Sequence, residues 1–215
     1  MIGAAERMDR LYRSQRLIYD FTRRPYLLGR SALIEGLRPA PGARVLEVGC
    51  GTAWNLIRAA ERYPAANFYG LDVSPAMLET AQQSIDKRGL GARIVVCQAD
   101  ATSFDPLVLF GYQSFDRVFI SYALSMIPDW LRAVARAMGA TTSEGSVHIV
   151  DFGRCDELPL AFRTLLHAWL DRFSVKPLVE FEREIVLLSQ THGFSADIVQ
   201  LYRGYAMHAV LTRTR

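Results

Sequence analysis

Two rhythms alternate along the chain. Short apolar runs rich in β-branched and aromatic residues recur at 45–48, 67–72, 93–97, 114–121 and 146–152. Between them, residues 53–63, 74–87 and 129–139 repeat their apolar positions at helical spacing. Strand and helix in alternation predict a parallel sheet joined by crossover helices. After the fifth strand the rhythm changes. Residues 157–173 form a strongly apolar helical stretch that carries His167 and stops before Pro177, and a second helix covers about 178–192 up to Gly193. The last run, 196–203, then Gly204, then 205–212, reads as a β-hairpin.

The punctuation supports these boundaries. Ser74-Pro75 is an N-cap followed by proline at the first helical position. Pro64 closes the helix before the second strand. Upstream, residues 4–20 read as an amphipathic helix: Met8, Leu11, Tyr12, Ile18 and Tyr19 share one arc, and Arg7, Arg10, Arg13 and Arg16 the opposite side. Leu17 breaks that pattern. Pro25 ends this helix, a further one spans about 30–37, and Pro39 to Gly42 lead into the first strand.

Composition narrows the class. At 215 residues, half of them hydrophobic, the chain is most simply one domain with a sizeable core, though two small ones fit the length as well. No apolar run reaches the ~18–20 residues of a bilayer span, and no signal-peptide core opens the sequence, which predicts a mature cytoplasmic protein. Cys50, Cys97 and Cys155 are odd in number and scattered, giving neither a disulfide framework nor metal-ligand spacing. The net charge of +3 is uneven: residues 1–38 hold eight arginines against four acids, +4, which leaves −1 for the rest. A basic arm on a near-neutral body points to an anionic partner at that end, such as the inner face of a membrane. A packed helix whose solvent face is arginine-rich fits the pattern equally.

The chemistry centres on Val45-Leu46-Glu47-Val48-Gly49-Cys50-Gly51-Thr52-Ala53-Trp54-Asn55. An apolar strand ends in an acid, two glycines follow one residue apart, and a helix begins. Glycine suits both positions because the backbone turns sharply there and a ligand comes close. Trp54 stands where a dinucleotide fingerprint needs a small residue, which argues against NAD and FAD. Glu47 in the turn would repel a pyrophosphate and complement a cation. Asp72 closes the second strand, placed to accept from ribose hydroxyls. Tyr122 follows the fourth strand, at the edge of the sheet where ligands bind. His148 reads as a buried core histidine.

The acid-x-Gly-x-Gly-x-small pattern resembles the first motif of class I S-adenosylmethionine (SAM) methyltransferases, with Ala53 where that family has a third glycine. The resemblance implies a Rossmann-like α/β fold: a mostly parallel seven-stranded sheet, order 3-2-1-4-5-7-6, with helices on both faces. It divides the chain into an N-terminal arm or lid over the cofactor, residues 1–38, and a SAM-binding domain, 39–215. It implies cofactor contacts from Tyr19, Arg24 or Arg30, Glu47, Gly49, Cys50, Gly51, Asn55, Asp72, Val73, Met77, Asp100, Ala101, Thr102 and Ser121. Arginine suits the SAM carboxylate through its bidentate fork, and Asp100 and Ala101 fall beside the adenine. At Ala53 a slightly tighter pocket is expected. S-adenosylhomocysteine is the implied product, and no metal is implied.

Three further stretches are more specific: Tyr19-Asp20-x-Thr22-Arg23-x4-Leu28-Gly29-Arg30; Ser121-Tyr122-x-Leu124-Ser125-Met126-Ile127-Pro128; and Asp151-Phe152-Gly153-Arg154 with His167-Ala168-Trp169-Leu170. They resemble the bacterial N-methyltransferases of betaine-lipid synthesis. That resemblance implies a lipid with an amino-acid head group, diacylglyceryl-homoserine, methylated three times. Tyr122 is then the candidate for orienting the amine, with Arg154 and His167 for the substrate carboxylate or as polar groups at the mouth of the site. A methyltransferase for another amine, a quinone or a phospholipid head group stays open, as does a non-catalytic SAM-binding domain. Nucleic acid is disfavoured: the basic patch is small, and no Asn/Asp-Pro-Pro-Tyr motif follows the fourth strand.

Overall fold

The computed structural model describes residues 27–171, 178 and 180–214. The predicted amphipathic helix at 4–20, with Tyr19 and Arg24, lies outside them. The elements in chain order are α1 (Arg30–Leu37), β1 (Arg44–Val48), α2 (Trp54–Arg62), β2 (Asn67–Asp72), α3 (Pro75–Lys87), β3 (Ile94–Gln98), α4 (Pro106–Phe110), β4 (Phe115–Ser121), a 3-10 turn (Leu124–Met126), α5 (Trp130–Gly139), β5 (Thr141–Phe152), α6 (Leu160–Asp171), α7 (Phe181–Thr191), β6 (Phe194–Leu201) and β7 (Ala206–Arg213).

The seven strands form one sheet in the order β3-β2-β1-β4-β5-β7-β6. Strands β1 to β5 are parallel, and β7 runs antiparallel to both β5 and β6. This Rossmann-like architecture with one antiparallel hairpin is the one expected. It puts the carboxyl ends of five strands along one edge, where loops gather and ligands bind in open α/β sheets.

Alternation along the strands builds two cores. Val45 and Phe119 face one side with Leu33, Leu37, Leu56, Ala59, Ile85 and Leu166 from α1, α2, α3 and α6. Leu46, Val48, Val118 and Ile120 face the other, with Ala133, Ala137, Phe181 and Ile185 from α5 and α7. Period-two side chains on strands covered on both faces give this split directly. The same alternation puts Glu47 on the side of α1 and α2.

β5 is longer than its apolar run. Thr141 pairs with Phe115 and Ser146 with Arg117, so residues 142–145 bulge out of the ladder. The closing hairpin turns over four residues, not at Gly204 alone: Tyr202, Arg203 and Gly204 all have positive φ (53°, 58° and 77°).

His148 is a core histidine, as read. It is 4% exposed, and its Nε2 lies 2.8 Å from Ser146 Oγ. Burial pushes its pKa down to about 3, with His208 and Arg117 adding repulsion. Unfolded, the same imidazole titrates near 6.5. Its neutral form therefore contributes stability that is fully present above pH 6.5 and is lost as pH falls toward 3. Buried Glu47 and Asp151 have raised pKa values and titrate in the opposite sense, so a variant difference isolates the imidazole. The stability gap between wild type and His148→Gln is expected to narrow by about 2 kcal/mol from pH 6.5 to 5, read from urea unfolding. A gap that stays constant over that interval contradicts this assignment.

Candidate active site

The glycine turn after β1 is pinned to the neighbouring strand. The Gly49 and Cys50 N–H groups both donate to the Leu71 carbonyl, at 2.8 and 2.9 Å. The Gly51 N–H donates to Asp72 Oδ2 at 2.8 Å, and the Ser74 N–H to Asp72 Oδ1 at 2.9 Å. One carboxylate thus ties the turn after β1 to the turn after β2. Burial pushes the Asp72 pKa up, and the backbone donors from Ser74, Gly51 and Val73 pull against it. Gly49 and Gly51 have φ of +76° and +52°. A Cβ on Gly49 would lie 2.7 Å from the Ala123 Cβ, whereas one on Gly51 would meet nothing within 4 Å among the described residues. The first glycine is held to its size by packing, and the second borders open space among the described residues.

Beneath the turn, Glu47 is fully buried. Its Oε1 accepts from Asn55 Nδ2 at 2.7 Å, while Oε2 and Asn55 Oδ1 have no hydrogen-bond partner among the described residues. Burial raises the carboxyl to about 8, opposed by Asn55 and by the Arg30 charge. This corrects the expected charged group pointing into the turn: Glu47 lies under it and is mainly a neutral acid at pH 7. Cys50 is buried beside it, its thiol pushed well above its ordinary range by burial and by the nearby acids.

Arg30 enters from α1. It is 9% exposed, its Nε donates to the Leu27 carbonyl at 3.2 Å, and its guanidinium carbon lies 4.0 Å from the centre of the Trp54 ring. Trp54 is thus a platform for a cation, a role sequence reasoning missed even though the indole at a small-residue position was the signal. Ala53 is in the left-handed region at φ 62° and fully buried. Its methyl group packs in the core, so the slightly tighter pocket expected at this position is not found.

The next strand tips continue the site. Val73 is half-buried, with its carbonyl accepting from Gln98 Nε2 at 3.2 Å. Met77 is buried, its N–H donating to Ser74 Oγ at 3.3 Å. Beyond β3, Asp100 Oδ1 accepts from both the N–H and the hydroxyl of Thr102, each at 2.7 Å, and Ala101 is buried beside it. At the tip of β4, Ser121 is buried, and its hydroxyl has no partner among the described residues.

Tyr122 follows in the left-handed region at φ 54°. That conformation costs a bulky residue roughly 1–2 kcal/mol, and such strain concentrates at functional sites. The Tyr122 N–H donates to the Val150 carbonyl at 2.8 Å, and its ring packs edge-on to Phe152 at 4.8 Å between centroids. Its buried hydroxyl makes a short hydrogen bond to the Leu28 carbonyl. The hydroxyl expected to orient an amine is therefore engaged with the segment that leads into α1. Below it, Asp151 is fully buried and accepts from the Phe152 N–H at 2.8 Å and the Ser125 N–H at 3.3 Å. Burial raises Asp151 to about 6.

The two predicted substrate residues follow β5 in the chain. Arg154 is exposed and pairs with Asp156 at 2.7 Å, which raises its pKa. Its guanidinium is engaged by its own neighbour at the surface. His167 lies on α6, and its side chain is outside the described residues. Among the described residues, no group of three or more His, Cys, Asp or Glu could hold a metal ion. Nor is any helix among them long and apolar enough to cross a membrane.

Residues 45–145 match the family model described as a methyltransferase domain. Among curated relatives, aklanonic acid methyltransferase of Streptomyces sp. (strain C5) is 34% identical over 106 residues, 48% of this chain and 46% of its own. Demethylmenaquinone methyltransferase of Geobacillus kaustophilus is 30% identical over 150 residues, covering 67% and 62%. Phosphatidylethanolamine N-methyltransferase of Cereibacter sphaeroides is 33% identical over 122 residues, covering 57% of each. The chain thus spans about half to three-fifths of the length of these relatives. In structure it resembles a phosphoethanolamine N-methyltransferase of Haemonchus contortus, solved with phosphomonomethylethanolamine and S-adenosylhomocysteine. The TM-score is 0.66 at 18% identity, over 86% of this chain and 52% of that one.

Proposed function

We propose that this protein is a SAM-dependent methyltransferase whose acceptor is an amine on a lipid head group, diacylglyceryl-homoserine in the sharpest form. The observation that carries the cofactor assignment is the double tie of Asp72 to Gly51 and Ser74, beside a glycine bordering open space. The residues fit the group. Unpartnered Glu47 Oε2 and Asn55 Oδ1 are acceptors for an ammonium. Arg30, stacked on Trp54, is a donor for a carboxylate. Asp72 has lone pairs left for ribose hydroxyls, and Asp100 with Ala101 flanks the next strand tip for adenine.

When bound, SAM supplies an electrophilic methyl group on a sulfonium centre. The chain contributes position and exclusion of water. The Tyr122 and Phe152 rings at the tips of β4 and β5 give the acceptor side an aromatic wall, suited to a nitrogen that gains positive charge. Tyr122 serves as a positioning residue that holds the Leu27–Arg30 segment over the cofactor. On this reading, Tyr122→Phe raises the Kd for SAM several-fold and destabilises the fold by about 1–2 kcal/mol through the unpaired Leu28 carbonyl. Turnover at saturating SAM stays within about threefold of wild type; a loss near 100-fold would return the hydroxyl to the acceptor.

The lipid amine is supported by the three stretches that resemble betaine-lipid N-methyltransferases and by the likeness to an enzyme named for phosphatidylethanolamine. A quinone acceptor is the second reading, favoured by the alignment with demethylmenaquinone methyltransferase over 67% of the chain. Incubation with methyl-labelled SAM and, separately, diacylglyceryl-homoserine, phosphatidylethanolamine and demethylmenaquinone decides between them. Label in the first lipid, progressing to the trimethylated product, is the expected result. Label confined to the quinone overturns the lipid assignment.

A further inference from the structure

We propose that Glu47 carries a proton in the ligand-free protein and releases it to solvent when the cationic amino-acid end of SAM settles against Asn55. The inference rests on the cofactor reading above and concerns how that site is charged before and after it fills.

The geometry starts with two atoms. Glu47 Oε2 and Asn55 Oδ1 are buried side-chain oxygens on partners joined through a single 2.7 Å bond from Nδ2 to Oε1. As a carboxylic acid, Oε2 carries an O–H, a donor that the anion lacks. That neutral form is the one a fully buried position favours. As a carboxylate, Oε2 has no hydrogen to give, and both oxygens are acceptors in search of a donor. An ammonium with three N–H groups meets that need. The pair thus changes from donor–acceptor to acceptor–acceptor, and the proton leaves as the ligand's positive charge arrives.

The groups packed around Glu47 set the balance. From α2, the Asn55 amide and the Leu56 N–H favour the anion. From α1, the Arg30 charge also favours it, at a distance and already stacked on Trp54. Asp72 at the tip of β2 opposes it, and Cys50 in the turn adds no positive charge. The strand partners of Glu47, Gly70 on β2 and Phe119 on β4, bring no charge at all. Burial outweighs the favourable terms until a cation is placed directly on the pair.

Calorimetry with S-adenosylhomocysteine tests this, since that ligand keeps the ammonium without the sulfonium. Titrations at pH 7 in phosphate and in Tris differ in apparent enthalpy by the protons released times the difference in buffer ionisation enthalpy. Between about half and one proton released per ligand is expected for wild type, falling toward none at pH 9, with none in Glu47→Gln. Wild-type affinity should also rise with pH by up to about tenfold per unit between 6 and 8 and then level off, a result that needs no variant to fold. Tight binding with equal enthalpies in the two buffers overturns the proton release and leaves the cofactor site standing. Absence of binding in either buffer overturns both.

Discussion

Asp72→Ala is expected to lower the affinity for SAM by about 100-fold or more, with the domain still folded. The carboxylate accepts from Gly51 and Ser74, both through main-chain N–H groups. Hydrogen bonds to a charged group contribute about 1.5–3 kcal/mol each. Alanine removes both, loosens the two turns against each other, and deletes the acceptor proposed for the ribose. About 3 kcal/mol of lost binding is a factor of roughly 150. Asp72→Asn keeps one oxygen and is expected to fall between alanine and wild type. Titration calorimetry with S-adenosylhomocysteine, alongside thermal unfolding, reads both quantities. An alanine variant that binds as tightly as wild type would remove Asp72 from the site.

The second large effect separates the two glycines. Gly49→Ala is expected to lose both stability and binding. Its Cβ would approach the Ala123 Cβ to 2.7 Å, on a backbone at φ +76°. Overpacking and left-handed strain together cost about 2–4 kcal/mol. Gly51→Ala meets no atom within 4 Å among the described residues, so there only the milder φ of +52° opposes it. It should cost about 1–2 kcal/mol in unfolding and still weaken SAM binding by at least about 10-fold, because its methyl group borders the space assigned to the ligand. Urea unfolding and calorimetry on the pair distinguish a glycine kept for packing from one kept for a ligand. Equal loss of stability in both variants would contradict the distinction.

Much of the fold was legible because each element carried its own local signal. The second strand ends at Asp72 and the following helix starts at Pro75, as Ser74-Pro75 announced, with the Ser74 hydroxyl accepting from the Met77 N–H. The short helix α4 went unread although Asp105 caps it from the same kind of Asp-Pro start, accepting from Leu107 and Val108. Five residues are too few to show a period. The start of β5 was missed because Thr141-Thr142-Ser143-Glu144-Gly145 is polar and pairs through a bulge.

The candidate site divides along the same line. Spacing in sequence located Gly49, Gly51, Asp72 and Asp100 at the tips of successive strands. It carried no information on depth, so Glu47 read as a charge in the turn when it lies buried beneath it. Nor could it foresee contacts between distant segments. Tyr122 and Leu28 are 94 positions apart, yet their hydrogen bond decides what that hydroxyl does. Arg154 shows the converse: its ion-pair partner, Asp156, is only two residues away.

The most direct test of the central claim is a crystal structure of the protein grown with S-adenosylhomocysteine. The account predicts the ribose hydroxyls on Asp72, the adenosine passing over Gly51, and the amino-acid end between Arg30 and the Glu47–Asn55 pair. A ligand seated elsewhere on the sheet, or a turn at Gly49–Gly51 with no density above it at saturating ligand, would contradict it.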